Sequence, residues 1–306
     1  LTRIYIQEVA TRDGFQMEDR FVPTDDKIAL LDQLSDSGID KIEVTSFVSP
    51  KAIPNLRDAE EVMNGIKRKE DVIYTTLIPN VRGAERAAAC QADEVNLVAS
   101  VSETHNRKNV RRTVDRSFAS FKEIADYLSG TGIAINGTLA TTFGCPFEGA
   151  IDENRVLELA EAYLELGAVG ITLADTTGMA TPNQVHGLCE KVRDRWPDLP
   201  VTLHFHNTRG MGLANVIEGI RAGVSRYDAS LGGLGGCPFA PGATGNICTE
   251  DLVHMLAFMG YDVNADLDKL INLSKHLETL VGHEVPGQVI KAGKISDLHE
   301  QPAFSK

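Results

Sequence analysis

No stretch of this sequence stays apolar for the ~20 residues that a helix needs to cross a bilayer, which excludes a helical membrane span. None of the five cysteines, Cys90, Cys145, Cys189, Cys237 and Cys248, stands in a C-x-x-C pair. An odd, unclustered set argues against a disulfide framework or a thiolate zinc centre, and the expectation is a reduced compartment, the cytoplasm. A basic start followed by an apolar stretch is also missing, so nothing points to export, although a chain that begins at Leu1 need not begin where the protein does. Positive charge is scarce as well. Thirty Lys and Arg against 43 Asp and Glu leave a formal net charge of −13, with the basic residues read as scattered or paired with acids. Such a field repels a nucleic-acid backbone, so no nucleic-acid partner is expected. An anionic substrate would need a local positive site, either a metal or a few placed arginines.

What the sequence does have is a period. Short β-branched runs alternate with segments that carry apolar residues at helical spacing, the mark of repeated βα units. The spacing predicts strands at Arg3–Val9, Lys41–Thr45, Val72–Leu77, Glu94–Val98, Ala134–Leu139, Gly170–Ala174, Val201–Phe205 and Tyr227–Ser230. Helices are expected between them, for example Asp25–Ser37 with Thr24 as N-cap and Gly38 as C-cap, and Glu153–Leu166 ending at Gly167. An open doubly wound sheet would alternate too. Eight units without a linker favour closure into a (β/α)8 TIM barrel, read as one catalytic domain over 1–306. The alternation stops near residue 260, and about 261–306 reads as a helical extension packed on the barrel.

Barrels of this kind build their sites at the C-terminal ends of the strands. Those positions hold Arg12 and Asp13 after the first strand, Glu43 in the second, Thr138 and Thr141 at the fifth, and Asp175 after the sixth. The seventh carries His204 and His206, and a glycine-rich loop with a cysteine follows the eighth. A spacing of two on a strand puts both imidazoles on one face, which suits chelation; buried, hydrogen-bonded histidines are the plainer alternative. Asp13 and Asn246 offer the oxygen ligands that would complete a mixed N/O site for Mg2+ or Mn2+. Each also has an ordinary reading, Asp13 as a turn residue before Gly14 and Asn246 as a helix N-cap. In Gly232-Gly233-Leu234-Gly235-Gly236-Cys237-Pro238, a flexible run ends in a thiol fit for proton transfer, or else forms a phosphate cradle with an incidental cysteine. It lacks the G-K-[ST] ending of a nucleotide P-loop.

Together these motifs resemble the 3-hydroxy-3-methylglutaryl-CoA lyase family of metal-dependent barrels. The resemblance is carried by E-V-A-T-R-D-G-F-Q at 8–16, E-V-T-S-F-V-S-P-K at 43–51, G-C-P-F-E-G at 144–149, L-A-D-T-T-G at 173–178, H-F-H-N-T at 204–208 and G-L-G-G-C-P-F-A-P-G-A-T-G-N at 233–246. It implies a divalent metal held by Asp13, His204, His206 and Asn246, and catalytic roles for Arg12, Asp13, Glu43, His204 and Cys237. The implied reaction is retro-Claisen cleavage of 3-hydroxy-3-methylglutaryl-CoA to acetyl-CoA and acetoacetate, by a homo-oligomer, a dimer, that takes a small acyl-CoA and no membrane or nucleic-acid partner. Asp175 and Thr176 would support the site. Three departures bear on the substrate: Ala10-Thr11 replaces the family's Gly-Pro, Asn207 an Asp, and Arg209 a Tyr. Citramalyl-CoA or a longer 3-alkyl-3-hydroxyglutaryl-CoA therefore stays open as substrate. A Claisen-condensing synthase and a non-catalytic metal- or CoA-binding barrel are the competing readings.

Overall fold

The computed structural model describes residues 2–236 and 245–298. Eight parallel strands close in chain order: β1 (Tyr5–Glu8), β2 (Lys41–Ser46), β3 (Ile73–Leu77), β4 (Glu94–Ser100), β5 (Ala134–Ala140), β6 (Gly170–Asp175), β7 (Val201–Phe205) and β8 (Arg226–Ala229). β8 pairs back onto β1 from Tyr5↔Arg226 to Glu8↔Ala229, which leaves no free edge in the barrel. The expected strands are all present, with ends shifted by no more than two residues.

Helices wrap the outside: α1 (Thr24–Ser35), α2 (Ala59–Gly65), α3 (Val81–Ala89), α4 (Glu103–Val110), α5 (Val114–Leu128), α6 (Glu153–Glu165), α7 (Pro182–Arg195) and α8 (Gly212–Arg221). Both caps of α1 differ from expectation, and at its C-terminus Asp36, not Gly38, takes the cap position. Pro23 takes the N-cap position of α1, because the Thr24 hydroxyl donates across to Asp58 Oδ2 at 2.9 Å beside the Lys27–Asp58 ion pair. After β8 come α9 (Thr249–Phe258), α10 (Leu267–Val281) and α11 (Val289–Ala292). α10 buries Leu270, Leu273, Leu277 and Leu280 against α1, α9 and the short turn Leu231–Gly233. Residues 299–306 lie outside the described residues. No described helix is long and apolar enough to cross a membrane.

Alternation along the strands divides the barrel into two layers. Outward residues such as Ile6, Ile42, Leu97, Leu173, Leu203 and Tyr227 are fully buried under the helices. The inward face is polar instead of the usual Val, Ile and Leu filling. Asn96 Nδ2 donates to Glu43 Oε1 (3.1 Å), and Asn96 Oδ1 accepts from the Thr138 hydroxyl (2.6 Å) and Asn136 Nδ2 (3.1 Å). Asn136 reaches on to Thr172 Oγ1 (3.0 Å), and Gln7 Nε2 donates to Thr202 Oγ1 (3.2 Å). This network satisfies the buried polar atoms of these residues, which would otherwise cost ~1–3 kcal/mol each, while Thr75 Oγ1 on β3 has no partner among the described residues. It also carries hydrogen bonds from β2 across β4 and β5 to β6, directly beneath the mouth.

Candidate active site

The chain leaves β1 through a wide π-helical turn, Ala10–Gly14, in which the Val9 carbonyl accepts from the backbone N–H of Arg12 (3.1 Å), Asp13 (2.7 Å) and Gly14 (3.4 Å). Turns of this width recur at functional sites because they re-aim side chains. Here Arg12 and Asp13 are set side by side at the mouth. Beneath them the buried Glu8 locks the turn: Oε1 accepts from Ala10 N (2.8 Å) and Leu231 N (2.9 Å), and Oε2 from the Thr249 hydroxyl (2.7 Å). Burial pushes the Glu8 carboxyl up to about 7, against the opposing pull of these three donors.

Arg12 lies between two carboxylates. Its Nε donates to Glu43 Oε2 at 2.5 Å and its Nη1 to Asp13 Oδ1 at 2.6 Å. Burial opposes its charge, but Glu43 and Asp13 outweigh burial and hold the guanidinium ionised. Among the described residues no acceptor meets Nη2, which is left for a substrate. Glu43 is fixed in turn by Asn96.

His204 and His206 stand on β7 and on the bridge residue after it, with their Nε2 atoms 3.1 Å apart. The Nδ1 of His204 faces Asp228 Oδ2 at 3.1 Å, which fixes the ring so that Nε2 points into the mouth. Burial works against charge on His204, yet the Asp228 contact and Asp13 leave its pKa raised; His206, buried and next to His204, is pushed down to about 3. Asp13 is also buried, but Arg12, His206 and His204 hold its carboxyl below the usual range. Asn246 pairs with His206 across an antiparallel bridge, while Cys248 takes the cap position of α9. The Asn246 Nδ2 donates to Asp13 Oδ2 (2.7 Å) and Leu234 O (2.9 Å), and its Oδ1 is buried with no partner among the described residues.

Ligand atoms of Asp13, His204 and His206 lie within 4.8 Å of one another. Two imidazole nitrogens, a carboxylate and an amide oxygen that lacks a donor form a set that a divalent cation satisfies. The geometry thus brings together Arg12, Asp13, Glu43, His204, His206 and Asn246. Cys237 lies outside the described residues, and Gly236 is the last described residue before it. Up to that point the loop is shaped by close approach. A Cβ on Gly235 (φ +112°) would sit 2.4 Å from Asn246 Nδ2 and 3.1 Å from Asp13 Oδ2, and one on Gly245 (φ +104°) would sit 2.2 Å from the Gly233 carbonyl.

The supporting residues resolve differently. Asp175 Oδ1 accepts from Met179 N at 2.8 Å, its Oδ2 is buried without a partner among the described residues, and burial lifts its carboxyl to about 6. The Thr176 hydroxyl accepts from Thr141 N, and Thr141 itself holds φ +56°, a strained conformation for a β-branched residue. Two of the three departures that bear on the substrate, Asn207 and Arg209, hold backbone. Asn207 Oδ1 accepts from Gly212 N (3.1 Å), and Arg209 Nη1 donates to the carbonyls of Thr177 and Gly178 (2.9 Å each). Sequence reasoning missed Asp228, Asn96 and Gln16, whose Nε2 donates to Asp13 Oδ1 at 2.8 Å. Only register could have found Asp228, which pairs with His204 across β7 and β8.

A family model described as HMGL-like matches residues 3–277. The chain belongs to the HMGL-like family. It is 41% identical over 294 residues to a hydroxymethylglutaryl-CoA lyase of Bacillus subtilis, covering 96% of this chain and 98% of that one. It is 39% identical to an (R)-citramalyl-CoA lyase of Chloroflexus aurantiacus, with 95% of each covered. Among solved structures, an HMG-CoA lyase from A. baumannii in complex with coenzyme A and 3-methylmalate is 56% identical, with a TM-score of 0.95 over 98% of both chains. These HMGL-like relatives extend over the whole barrel, so the likeness is not confined to the mouth.

Proposed function

We propose that this HMGL-like chain is a carbon–carbon lyase that cleaves 3-hydroxy-3-methylglutaryl-CoA to acetyl-CoA and acetoacetate. The observation that carries the reading is the convergence of a buried, ionised Arg12 with a two-histidine, carboxylate and amide-oxygen cluster at one barrel mouth. Asp13, His204, His206 and Asn246 would hold Mg2+ or Mn2+, which when bound acidifies the substrate hydroxyl and fixes its distal carboxylate. Arg12, clamped through Nε and Nη1, presents Nη2 to the thioester oxygen, where negative charge builds as the carbon–carbon bond breaks. His204, with Asp228 behind it, and Asp13 are the candidate bases for the hydroxyl proton. Cys237 is assigned the last step, protonation of the acetyl-CoA enolate. Acetyl-CoA release from hydroxymethylglutaryl-CoA with Mg2+ or Mn2+ tests the reaction. Consumption of acetyl-CoA with a 2-oxo acid, and no cleavage, would make the chain a synthase. Cys237→Ala with unchanged turnover would remove the thiol from the mechanism.

A second substrate is favoured by specific observations: the C. aurantiacus relative is named for citramalyl-CoA, and the A. baumannii structure holds 3-methylmalate. A panel of 3-hydroxyacyl-CoA thioesters assayed for kcat/KM separates these from the glutaryl substrate. Two further points belong to this reading. Four described cysteines are free and buried, which supports a reducing, cytoplasmic setting. Phe258, Met259, Ile295 and Leu298 are exposed near the C-terminal helices, which supports a homodimer; light scattering after gel filtration tests it.

A further inference from the structure

Basic residues are otherwise scattered or paired with acids, yet Arg107, Lys108, Arg111, Arg112 and Arg116 put five cations against one acid, Asp115, within ten residues of a chain of net charge −13. The fold gathers them. Arg107, Arg111, Arg112 and Arg116, with Thr113 and a single acid, Glu123, line a groove of about 570 Å³ between α4 and α5. Elsewhere on the helical surface such cations meet acids, as in Arg155–Glu158 and Arg195–Glu161. Arg107 has Glu103, but among the described residues no carboxylate lies within 4.0 Å of Arg111, Arg112 or Arg116. Three exposed arginines without ion-pair partners outnumber the one groove acid, Glu123, and repel one another, and that repulsion is relieved by an anion.

Local backbone sharpens the site. Arg111 ends α4 in the left-handed conformation (φ +58°), which turns the chain sharply into Arg112 and the Thr113 cap of α5. The 15-residue α5 therefore adds the positive end of its dipole to the same corner. Position ties the corner to the mouth. α4 starts where β4 ends, on the face that carries Arg12 and the histidines. There Ser102 N donates to Thr141 Oγ1 at 3.3 Å, and Lys108 Nζ sits 4.3 Å over the Phe147 ring of the loop after β5.

We propose that this groove seats the phosphates of the acyl-CoA's nucleotide end, an inference that rests on the acyl-CoA reading above. A coenzyme A thioester carries a diphosphate and a ribose phosphate, separated from the reacting carbonyl by an arm comparable to roughly four extended residues, on the order of 14 Å. That span leads from the barrel axis out to the helical ring. With the acyl group at the mouth, the arm crosses the β4–β5 side of the rim and delivers the phosphates to guanidinium groups that match them. The groove thus supplies the local positive charge that the −13 background denies to an anionic substrate at long range.

The test is an Arg111→Ala/Arg112→Ala/Arg116→Ala variant of the full chain, none of whose changed residues belongs to the catalytic machinery. It is assayed with Mn2+ on hydroxymethylglutaryl-CoA and on the pantetheine thioester of the same acid. The expected result is a KM about tenfold or more higher for the CoA thioester at low salt, kcat within about twofold, and unchanged kinetics on the pantetheine thioester. The unfolding temperature of the variant checks its fold, and the triple Arg→Lys variant should recover part of the KM. Equal KM for variant and parent, or equal losses on both thioesters, overturns the proposal. Calorimetric titration with free CoA reads the groove separately from turnover. CoA binding that the triple Ala variant loses supports the groove even if no thioester is cleaved, in which case only the lyase reading falls. Undetectable CoA binding, or binding unchanged in the variant, overturns the groove itself.

Discussion

At the scale of single residues the site depends on what stands behind each reacting group. His204 presents Nε2 inward because Asp228 takes Nδ1, so Asp228→Asn should lower metal affinity or kcat/KM by about 10–100-fold while the fold persists. Manganese titration followed by calorimetry, beside steady-state kinetics, reads both quantities; values within twofold of the parent would remove Asp228 from the site. Arg12→Lys is not a mild change, since one ammonium cannot meet Glu43, Asp13 and a thioester together. A loss of roughly 10²–10³ in kcat is expected with KM little changed, the signature of a group that acts in the transition state. Some of this was legible and some was not. The H-x-H spacing placed both imidazoles on one face from period alone, and the loop glycines were visible as a run. Asp228 was invisible because it joins His204 through pairing between strands, which no local pattern encodes.

At the scale of elements, Glu8 is the joint between the turn after β1, the turn at Leu231 and the start of α9. Glu8→Ala would leave two backbone N–H groups and a hydroxyl without a partner and should cost about 3 kcal/mol or more of stability. Glu8→Gln keeps an acceptor for the two N–H groups and should cost much less. The pair of variants has a pH signature as well. The carboxyl holds its proton up to about 7 in the folded chain, against 4.5 in its ordinary state. Between these values the folded state binds a proton that the unfolded state has released. Its stabilising contribution is complete below about 4.5 and is lost as the pH rises through 7. Thermal unfolding from pH 5 to 8 should therefore show the parent losing stability relative to Glu8→Gln; parallel curves would contradict the assignment. The eight strands were readable because β-branched runs and helical spacing contrast strongly. The π-helical turn at Ala10–Gly14 was not, because A-T-R-D-G reads locally as an ordinary loop and its width is set by Glu8 from below. Thr24 misled as a cap because Asp58, 34 residues away, takes its hydroxyl.

For the molecule as a whole, a site assembled from β1, β7 and the segment after β8 couples ligand to fold. Mn2+ at about 100 times its Kd should add ~2.7 kcal/mol to stability, a rise of several degrees in Tm. Excess chelator should reverse the shift, and His206→Ala should abolish it; a Tm indifferent to the metal in the parent chain would speak against the cluster as a cation site. The division between an apolar outer annulus and a polar lumen has a further consequence, for how this barrel tolerates change. The side chains that hold the sheet to its helices face outward, and those that tune Arg12 and Glu43 face inward, so alternate letters of the same strands serve separate tasks. Mutational libraries on the inward letters Asn96, Asn136, Thr138 and Thr172 should therefore reach new specificities only where the set is changed together so that no buried polar atom loses its partner, whereas the outward letters are the place to engineer heat resistance.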